Sequence, residues 1–192
     1  AAALTMEFWN GSTWSATGVS IMDNTSSGNS DTMRFSGIIE NNTTVSGWTK
    51  TRLTGTGNTL IDAFVQLHFP EMSYDKDAEI ARKGTVNSNL LQALRNNPFF
   101  KGSFPKTTGP ELFNLDYVQK AMSESQTQQL AVEDVLATLT RFSAETAAEA
   151  ILFAINLSNT TAKDCTVYVS GGGVHNPLLM EHLNELVACQ FK

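Results

Sequence analysis

Two glycine-rich turns, each running into a helical pattern, are the parts of this chain best suited to chemistry. The first is Thr54-Gly55-Thr56-Gly57-Asn58 and the second is Gly171-Gly172-Gly173-Val174-His175-Asn176. Glycine removes the Cβ that would hold the backbone away from an anion. A helix N-terminus adds N–H groups without intrahelical partners and a partial positive charge. Phosphate or nucleotide contact is the chemistry such turns could do, through Gly55, Gly57 and Asn58 in one and Gly171, Gly172, Gly173 and Asn176 in the other. A tight strand-to-helix connection without a ligand satisfies the same spacing. Spacing alone does not choose between the two.

Other reactive residue types form weaker patterns. His68, His175 and His182 have no HExxH or comparable ligand spacing, so they read as surface or helix-facing residues and no metal site is expected. Cys165 and Cys189 are the two cysteines; without CxxC spacing they define neither a zinc site nor a disulfide framework, and a reducing compartment is compatible with them. Ser170 precedes a glycine but lacks the G-x-S-x-G order of a nucleophile turn. Asp62, near a helix start, suits either a cleft contact or an ordinary exposed role beside the helix dipole. Trp9, Trp14 and Trp48 read as packing residues of the N-terminal part.

The elements that must position the turns follow from periodicity. Residues 10–58 are crowded with Ser, Thr, Gly and Asn around short apolar pieces, Gly18-Val19-Ser20-Ile21-Met22 and Phe35-Ser36-Gly37-Ile38-Ile39, a pattern of short strands and polar turns. Sequons at Asn10, Asn24, Asn42, Asn156 and Asn159 would suit a glycosylated secreted protein, but Asn-x-Ser/Thr arises by chance wherever these residues abound, and glycosylation is not expected. Leu60, Ile61, Phe64, Val65 and Phe69 recur at helical spacing and predict a helix from just after Asn58 to near His68. Residues 75–96 read as two short helices broken around Gly84. Residues 98–109, with Pro98, Gly102, Pro105 and Gly109, read as a loop. Helical pattern resumes near Leu112. The longest periodic segment puts Val132, Val135, Leu136, Leu139, Phe142, Ala147, Ala150, Ile151 and Ala154 on one face, a buried core helix with Glu133 and Asp134 in its first turn. Residues 165–170 predict a short strand, followed by the glycine turn and by a helix through Val187 with Asn176 as cap and Pro177 as first residue.

At 192 residues and 41% hydrophobic, the chain can bury a core of its own. A formal charge of -6 with 13 Lys and Arg is unlike a nucleic-acid or anionic-membrane surface, so neither partner is expected. No apolar run approaches the roughly 18 residues of a membrane span, and Ala1-Ala2-Ala3 lacks the layout of a signal peptide. The chain reads as soluble, with its compartment undetermined.

Several segments, in one order, resemble the anhydro-N-acetylmuramic acid kinase family. Gly55-Thr56-Gly57-Asn58-Thr59-Leu60-Ile61-Asp62-Ala63 is similar to the family's Gly-Pro-Gly-Asn and the helix after it. Tyr74-Asp75-Lys76-Asp77, Ala81, Gly84 and Val86-Asn87 are similar to its stretch from Tyr-Asp to Gly-x-Val. Asn97-Pro98-Phe99-Phe100, Pro105-Lys106-Thr107-Thr108-Gly109 and Glu111-Leu112-Phe113-Asn114-Leu115 resemble its Pro-Tyr-Phe and Pro-Lys-Ser-Thr-Gly-Arg-Glu-x-Phe. Asp134, Ala137-Thr138-Leu139-Thr140 and Ala144 are similar to its long helix. The most specific match is Gly171-Gly172-Gly173-Val174-His175-Asn176-Pro177-Leu178-Leu179-Met180, which resembles Gly-Gly-Gly-x-x-Asn-Pro-x-Leu-Met.

The resemblance implies an α/β fold, one partial lobe of the actin-like ATPase (ribonuclease H-like) type, helix-rich from residue 58 onward behind a short strand-rich part. It divides the chain into 1–52, a possible remnant of the first lobe, and 53–192, the second lobe. It also implies ATP with magnesium in an interlobe cleft, and an anhydro-sugar opened by water as it is phosphorylated. Leu53 stands where the family has Asp, and Pro110 where it has Arg. Ser36-Gly37-Ile38-Ile39-Glu40-Asn41 echoes the family's Gly-Gly-Ile-x-Asn with one residue too many. The family's first phosphate loop and its catalytic Asp-Phe-Arg segment have no counterpart. Two expectations follow: a degenerate, non-catalytic subunit whose exposed lobe surface a partner chain covers, or a fragment or subunit of an active kinase.

Overall fold

The computed structural model describes residues 58–102, 112–157, 161–167, 169 and 172–192, together with two short strands near the N-terminus. Those strands, β1 (Phe8–Trp9) and β2 (Trp14–Ser15), pair antiparallel with Trp9 opposite Trp14. The strands expected at 18–22 and 35–39, and the boundary expected between 52 and 53, lie outside the described residues.

The first helix, α1 (Thr59–His68), buries Leu60, Ile61, Phe64 and Val65 on the face that the spacing predicts. Beyond it, the backbone is arranged by one carboxylate. Asp75 is buried, and its two oxygens accept N–H groups from Ile80 and Ala81, each at 2.9 Å. Those bonds compete with a helical ladder, so the helix expected before Gly84 is instead two single 3-10 turns, Lys76–Ala78 and Ala81–Lys83. Asp77 and Ala78 take φ of 54° and 57°, a left-handed conformation unfavourable for residues with a Cβ, within the bend closed by Asp75.

The expected break at Gly84 has a clear physical cause. A Cβ built there would lie 2.1 Å from the carbonyl oxygen of Glu133, so the chain can cross the start of the long helix at this distance only as glycine. The crossing is fixed on both sides of the peptide run, with Thr85 N donating to Asp134 Oδ1 at 2.7 Å and Asn87 N to Thr138 Oγ1 at 2.9 Å. Asn87 then caps α2 (Ser88–Arg95), its Oδ1 accepting from Leu90 N at 3.0 Å.

Residues 98–109 are not wholly a loop: Pro98–Lys101 form a short helix, α3. Proline at the first helical position lacks only an N–H that would have been unpaired anyway, and Asn97 Oδ1 accepts from Phe99 N at 2.9 Å, so Pro98 starts a helix here. Asn114 Oδ1 caps α4 (Leu115–Glu124) through Tyr117 N at 3.0 Å.

The long helix, α5 (Val132–Leu157), runs 26 residues and serves two apolar cores. Its first half, Val135 to Phe142, packs with α1, α2 and α4. Phe99, Phe113 and Tyr117 pack edge to face around that core. Its second half, Ala144 to Ile155, packs with the C-terminal elements. These are β3 (Thr166–Val167), α6 (Pro177–Leu186) and a strand that periodicity did not reveal, β4 (Gln190–Phe191). β3 and β4 pair parallel, Thr166 with Gln190 and Val167 with Phe191, so α6 is the crossover of a βαβ unit. The described chain is therefore a mostly helical α/β structure. Among the described residues no helix is long and apolar enough to cross a membrane.

Gly84→Ala must force the crossing away from Glu133, and overpacking of this kind costs about 1–3 kcal/mol. Thermal unfolding followed by circular dichroism should show the midpoint lowered by several degrees; an unchanged midpoint would mean that the close approach to α5 is not required.

Candidate functional site

The two glycine turns meet helices of different character. Asn58 precedes α1 with φ −81° and ψ −6°, a helical conformation, whereas a side chain that caps a helix starts from extended backbone. Its carbonyl accepts the first intrahelical bond from Asp62 N at 2.8 Å. Its side chain makes no capping bond, and among the described residues Asn58 Oδ1 and the neighbouring Thr59 Oγ1 are buried polar atoms without a hydrogen-bond partner. The N–H groups of Thr59, Leu60 and Ile61 thus head a helix without a side-chain cap, the state in which a helix start is open to an anion. Gly55 and Gly57 lie outside the described residues.

The second turn is closed by its own residues. Gly172–His175 form a 3-10 turn in which Gly173 is buried and its carbonyl accepts from Asn176 N at 3.0 Å. A Cβ on Gly172 would meet nothing within 4 Å, so open space lies beside it. Asn176 is 5% exposed, with φ −96° and ψ 97°, and its Oδ1 accepts from Leu179 N at 3.0 Å. Asn176 is therefore the structural cap expected of it, with Pro177 first in the helix. Gly171 lies outside the described residues, as does Ser170.

Helix α6 is held on α5 by charge as well as by apolar contact. Arg141 on α5 reaches Glu185 Oε2 at 2.5 Å and Glu145 Oε1 at 3.1 Å. Arg141 Nη1 also approaches His182 Nδ1 at 3.2 Å. An arginine can only donate, so the ring must present its lone pair at Nδ1 and carry its proton on Nε2, which is buried without a partner. Burial and then the Arg141 charge lower the affinity of His182 for a second proton, against the opposing pull of Glu185. Hydrogen bonding to Arg141 holds the Glu185 carboxyl below its ordinary value. Sequence reading treated His182 as merely helix-facing; its place beside Arg141 is a tertiary contact without a local signal.

Some groups were not foreseen at all. Buried Asp75 was visible only as part of a Tyr-Asp pair. Arg95 lies between Glu145 and Glu149 of α5, with its guanidinium 5.6 Å from the Phe100 ring centre. Two open concavities, a polar one of about 540 Å³ and a mixed one of about 400 Å³, flank α2 and α4 and include none of the predicted turn residues. Among the described residues no group of three or more His, Cys, Asp or Glu could hold a metal ion. At the start of α1 the backbone N–H groups of Thr59, Leu60 and Ile61 are donors that an anion could meet.

The anhydro-N-acetylmuramic acid kinase family profile matches residues 36–190. This begins upstream of Leu53 and takes in the Ser36-Gly37-Ile38-Ile39-Glu40-Asn41 segment. Relatives bearing that name include one from Pseudoalteromonas atlantica, 54% identical over 132 residues, which cover 69% of this chain and 32% of the relative. Another, from Pseudoalteromonas translucida, is 49% identical over 129 residues, covering 67% of this chain and 31% of the relative. One from Burkholderia pseudomallei is 39% identical over 137 residues, covering 71% and 33%. The chain spans about a third of the length of the curated relatives it matches.

Two stability measurements separate the turns. Asn176→Ala should lose about 1 kcal/mol, the usual value of an N-cap bond, whereas Asn58→Ala, which breaks no capping bond, should cost less; equal losses in urea titrations would refute the distinction. The lowered His182 pKa means that the unfolded chain takes up the proton more readily. Stability should be full above the unfolded value of about 6.5 and should fall as pH drops below it. The Glu185 contribution, present above its unfolded value, falls away at lower pH still. Unfolding midpoints recorded from neutral to mildly acidic pH should show this decline, and His182→Gln should flatten its upper part.

Proposed function

Because the chain belongs to the anhydro-N-acetylmuramic acid kinase family, we propose that it supplies the second lobe of an actin-like, ATP-dependent kinase of anhydro-sugars. The observation that carries this reading is the start of α1. A Thr-Gly-Thr-Gly-Asn run leads into a helix without a side-chain cap, and the Asn58 and Thr59 oxygens at that start are buried without partners. Buried polar atoms left unpaired cost free energy of roughly 1–3 kcal/mol each; the Thr59 hydroxyl can donate to a phosphate oxygen, whereas Asn58 Oδ1 only accepts and would need a donor group of the ligand. ATP, with magnesium, would supply the phosphoryl group. The part of this chain is to bind and orient: backbone N–H groups at Thr59, Leu60 and Ile61 would neutralise phosphate charge, and Gly55 and Gly57 would let the backbone come close. The turn at Gly171, Gly172 and Gly173 would pack beside the nucleotide, with Asn176 holding the turn in shape through its cap of α6. Positioning and electrostatic stabilisation make up most of the catalysis in phosphoryl transfer. The water-activating base and the sugar contacts would come from the first lobe.

A second reading rests on Leu53 and Pro110, which replace an acidic and a basic residue inside otherwise matching motifs. Loss of both charges favours a non-catalytic subunit whose lobe surface is covered by a partner chain. Both positions lie outside the described residues.

A chimera tests the two readings together. Residues 53–192 replace the corresponding third of the Pseudoalteromonas atlantica relative, and transfer of labelled phosphate from ATP to anhydro-N-acetylmuramic acid is measured. The kinase reading expects turnover. A folded chimera without turnover, restored by Leu53→Asp with Pro110→Arg, would overturn it in favour of the non-catalytic subunit.

A further inference from the structure

The kinase reading makes no use of the two thiols. Cys165 and Cys189 each stand one position before a paired residue of the parallel sheet, Thr166 with Gln190. Gln190 N donates to the Cys165 carbonyl at 3.1 Å, and Lys192 N donates in the same sense to Val167 at 2.9 Å. The first of these bonds holds the Cys165 carbonyl against the Cys189–Gln190 peptide, so the two cysteines stand beside each other where the sheet begins. Val167 and Phe191 follow them by two positions on the paired strands. Both cysteines pack with those residues against the cluster formed by α5 and α6. Neighbouring strands lie roughly 4.8 Å apart, within the range of about 4.4–6.8 Å between Cα atoms across a disulfide. Both residues are half-buried, which leaves a small reagent a route to them. Burial and then the neighbouring Cys165 push the Cys189 thiol up to about 11.

We propose that Cys165 and Cys189 are a redox modification site that closes reversibly into an intramolecular disulfide bridging β3 and β4. The co-reactant is a low-molecular-weight disulfide of the glutathione type. One protein thiolate attacks a sulfur of that disulfide, breaking its S–S bond and releasing one small thiol, which leaves a mixed disulfide on the protein. The second protein thiolate attacks the protein sulfur of the mixed disulfide and expels the other small thiol. The protein gives up two electrons and two protons, and the reagent takes them up as two thiols. Only the thiolate attacks, so the raised Cys189 pKa makes closure slow at neutral pH and faster as pH rises. The bond would turn the βαβ unit into a covalent ring that contains the Gly172–His175 turn and Asn176. Oxidation would thereby stiffen the segment that leads into α6.

The test uses the whole chain in buffers of reduced and oxidised glutathione, native and in urea, with acid quenching, intact mass and peptide mapping. The expected result is a native species two hydrogens lighter with Cys165 linked to Cys189, and a closure constant at least tenfold larger than in urea. Cys165→Ser and Cys189→Ser should each stop at a single glutathione adduct. The proposal is overturned if the native chain stays reduced, carries two glutathiones, links between copies, or closes no better native than in urea. None of these readings depends on ATP or on phosphoryl transfer.

Discussion

The structure depends on the burial of α5 around almost its whole circumference. A helix buried on one stripe belongs to one layer, but α5 buries Val135, Leu136, Ala137, Leu139, Phe142, Ala144, Ala147, Ala148, Ala150, Ile151 and Ile155. That spread covers more than one face. The first apolar core is built on one half of its length and the second on the other. Residues that are small in the second half, Ala144, Ala147, Ala148 and Ala150, leave room for α6 to come close, and among the described residues the α5–α6 pair is the most extensive helix contact. Helices α1, α2 and α6 and the Ala81–Lys83 turn all pack directly on this axis.

A helix so deeply enclosed must also satisfy the polar groups that it carries inward. Thr138, Thr140 and Thr146 are buried, and each turns its hydroxyl back on the helix, to the carbonyls of Asp134 at 2.7 Å, Leu136 at 2.8 Å and Ser143 at 2.9 Å. Such back-bonding costs some helix propensity and avoids the larger penalty of an unpaired buried hydroxyl. Thr138 does more, since its oxygen also accepts from Asn87 N and so ties the crossing segment to the helix. The remaining stripe, Arg141, Glu145 and Glu149, is charged at i, i+4 and i+8 spacing, and it is met by Arg95 from α2 and Glu185 from α6. The same stripe thus holds elements of both cores to one spine.

Legibility in the sequence tracked the range of the interactions involved. Helices α1, α5 and α6 were readable because their apolar spacing is local and long enough to repeat; α1 and α6 also carry start signals, and these fixed their boundaries closely. The break at Gly84 was readable as a glycine, but its cause, the carbonyl of Glu133 far along the chain, was not. The two 3-10 turns were misread as a helix because Asp75 redirects the N–H groups of Ile80 and Ala81, a choice that apolar spacing cannot encode. The α3 helix was missed although Asn97-Pro98 carries the same cap-and-proline signal as Asn176-Pro177, because the glycines and prolines that follow outweighed it. β4 spans two residues, too few for an alternating pattern, and it exists because β3 offers it a ladder.

The same contrast between local and distant determinants bears on the candidate site. Asn58 and Asn176 are the same residue type, each following a glycine-rich run and each preceding a helix; the sequence offers both as candidate phosphate contacts and Asn176 also as a helix cap. The backbone separates them. At Asn176 an extended ψ of 97° aims the side chain back at Leu179 N, so the oxygen is spent on the helix. At Asn58 a ψ of −6° continues the helical direction, so the side chain cannot fold back over the first turn and its oxygen is left buried and unpaired. Capping and ligand contact compete for the same N–H groups at a helix start. A turn that caps its helix well is a poor anion site, and one that fails to cap it has donors left to offer. By that criterion Asn176, at the end of the most recognisable motif in the chain, is a support for α6, whereas the start of α1 after Asn58 keeps its N–H groups without a side-chain cap.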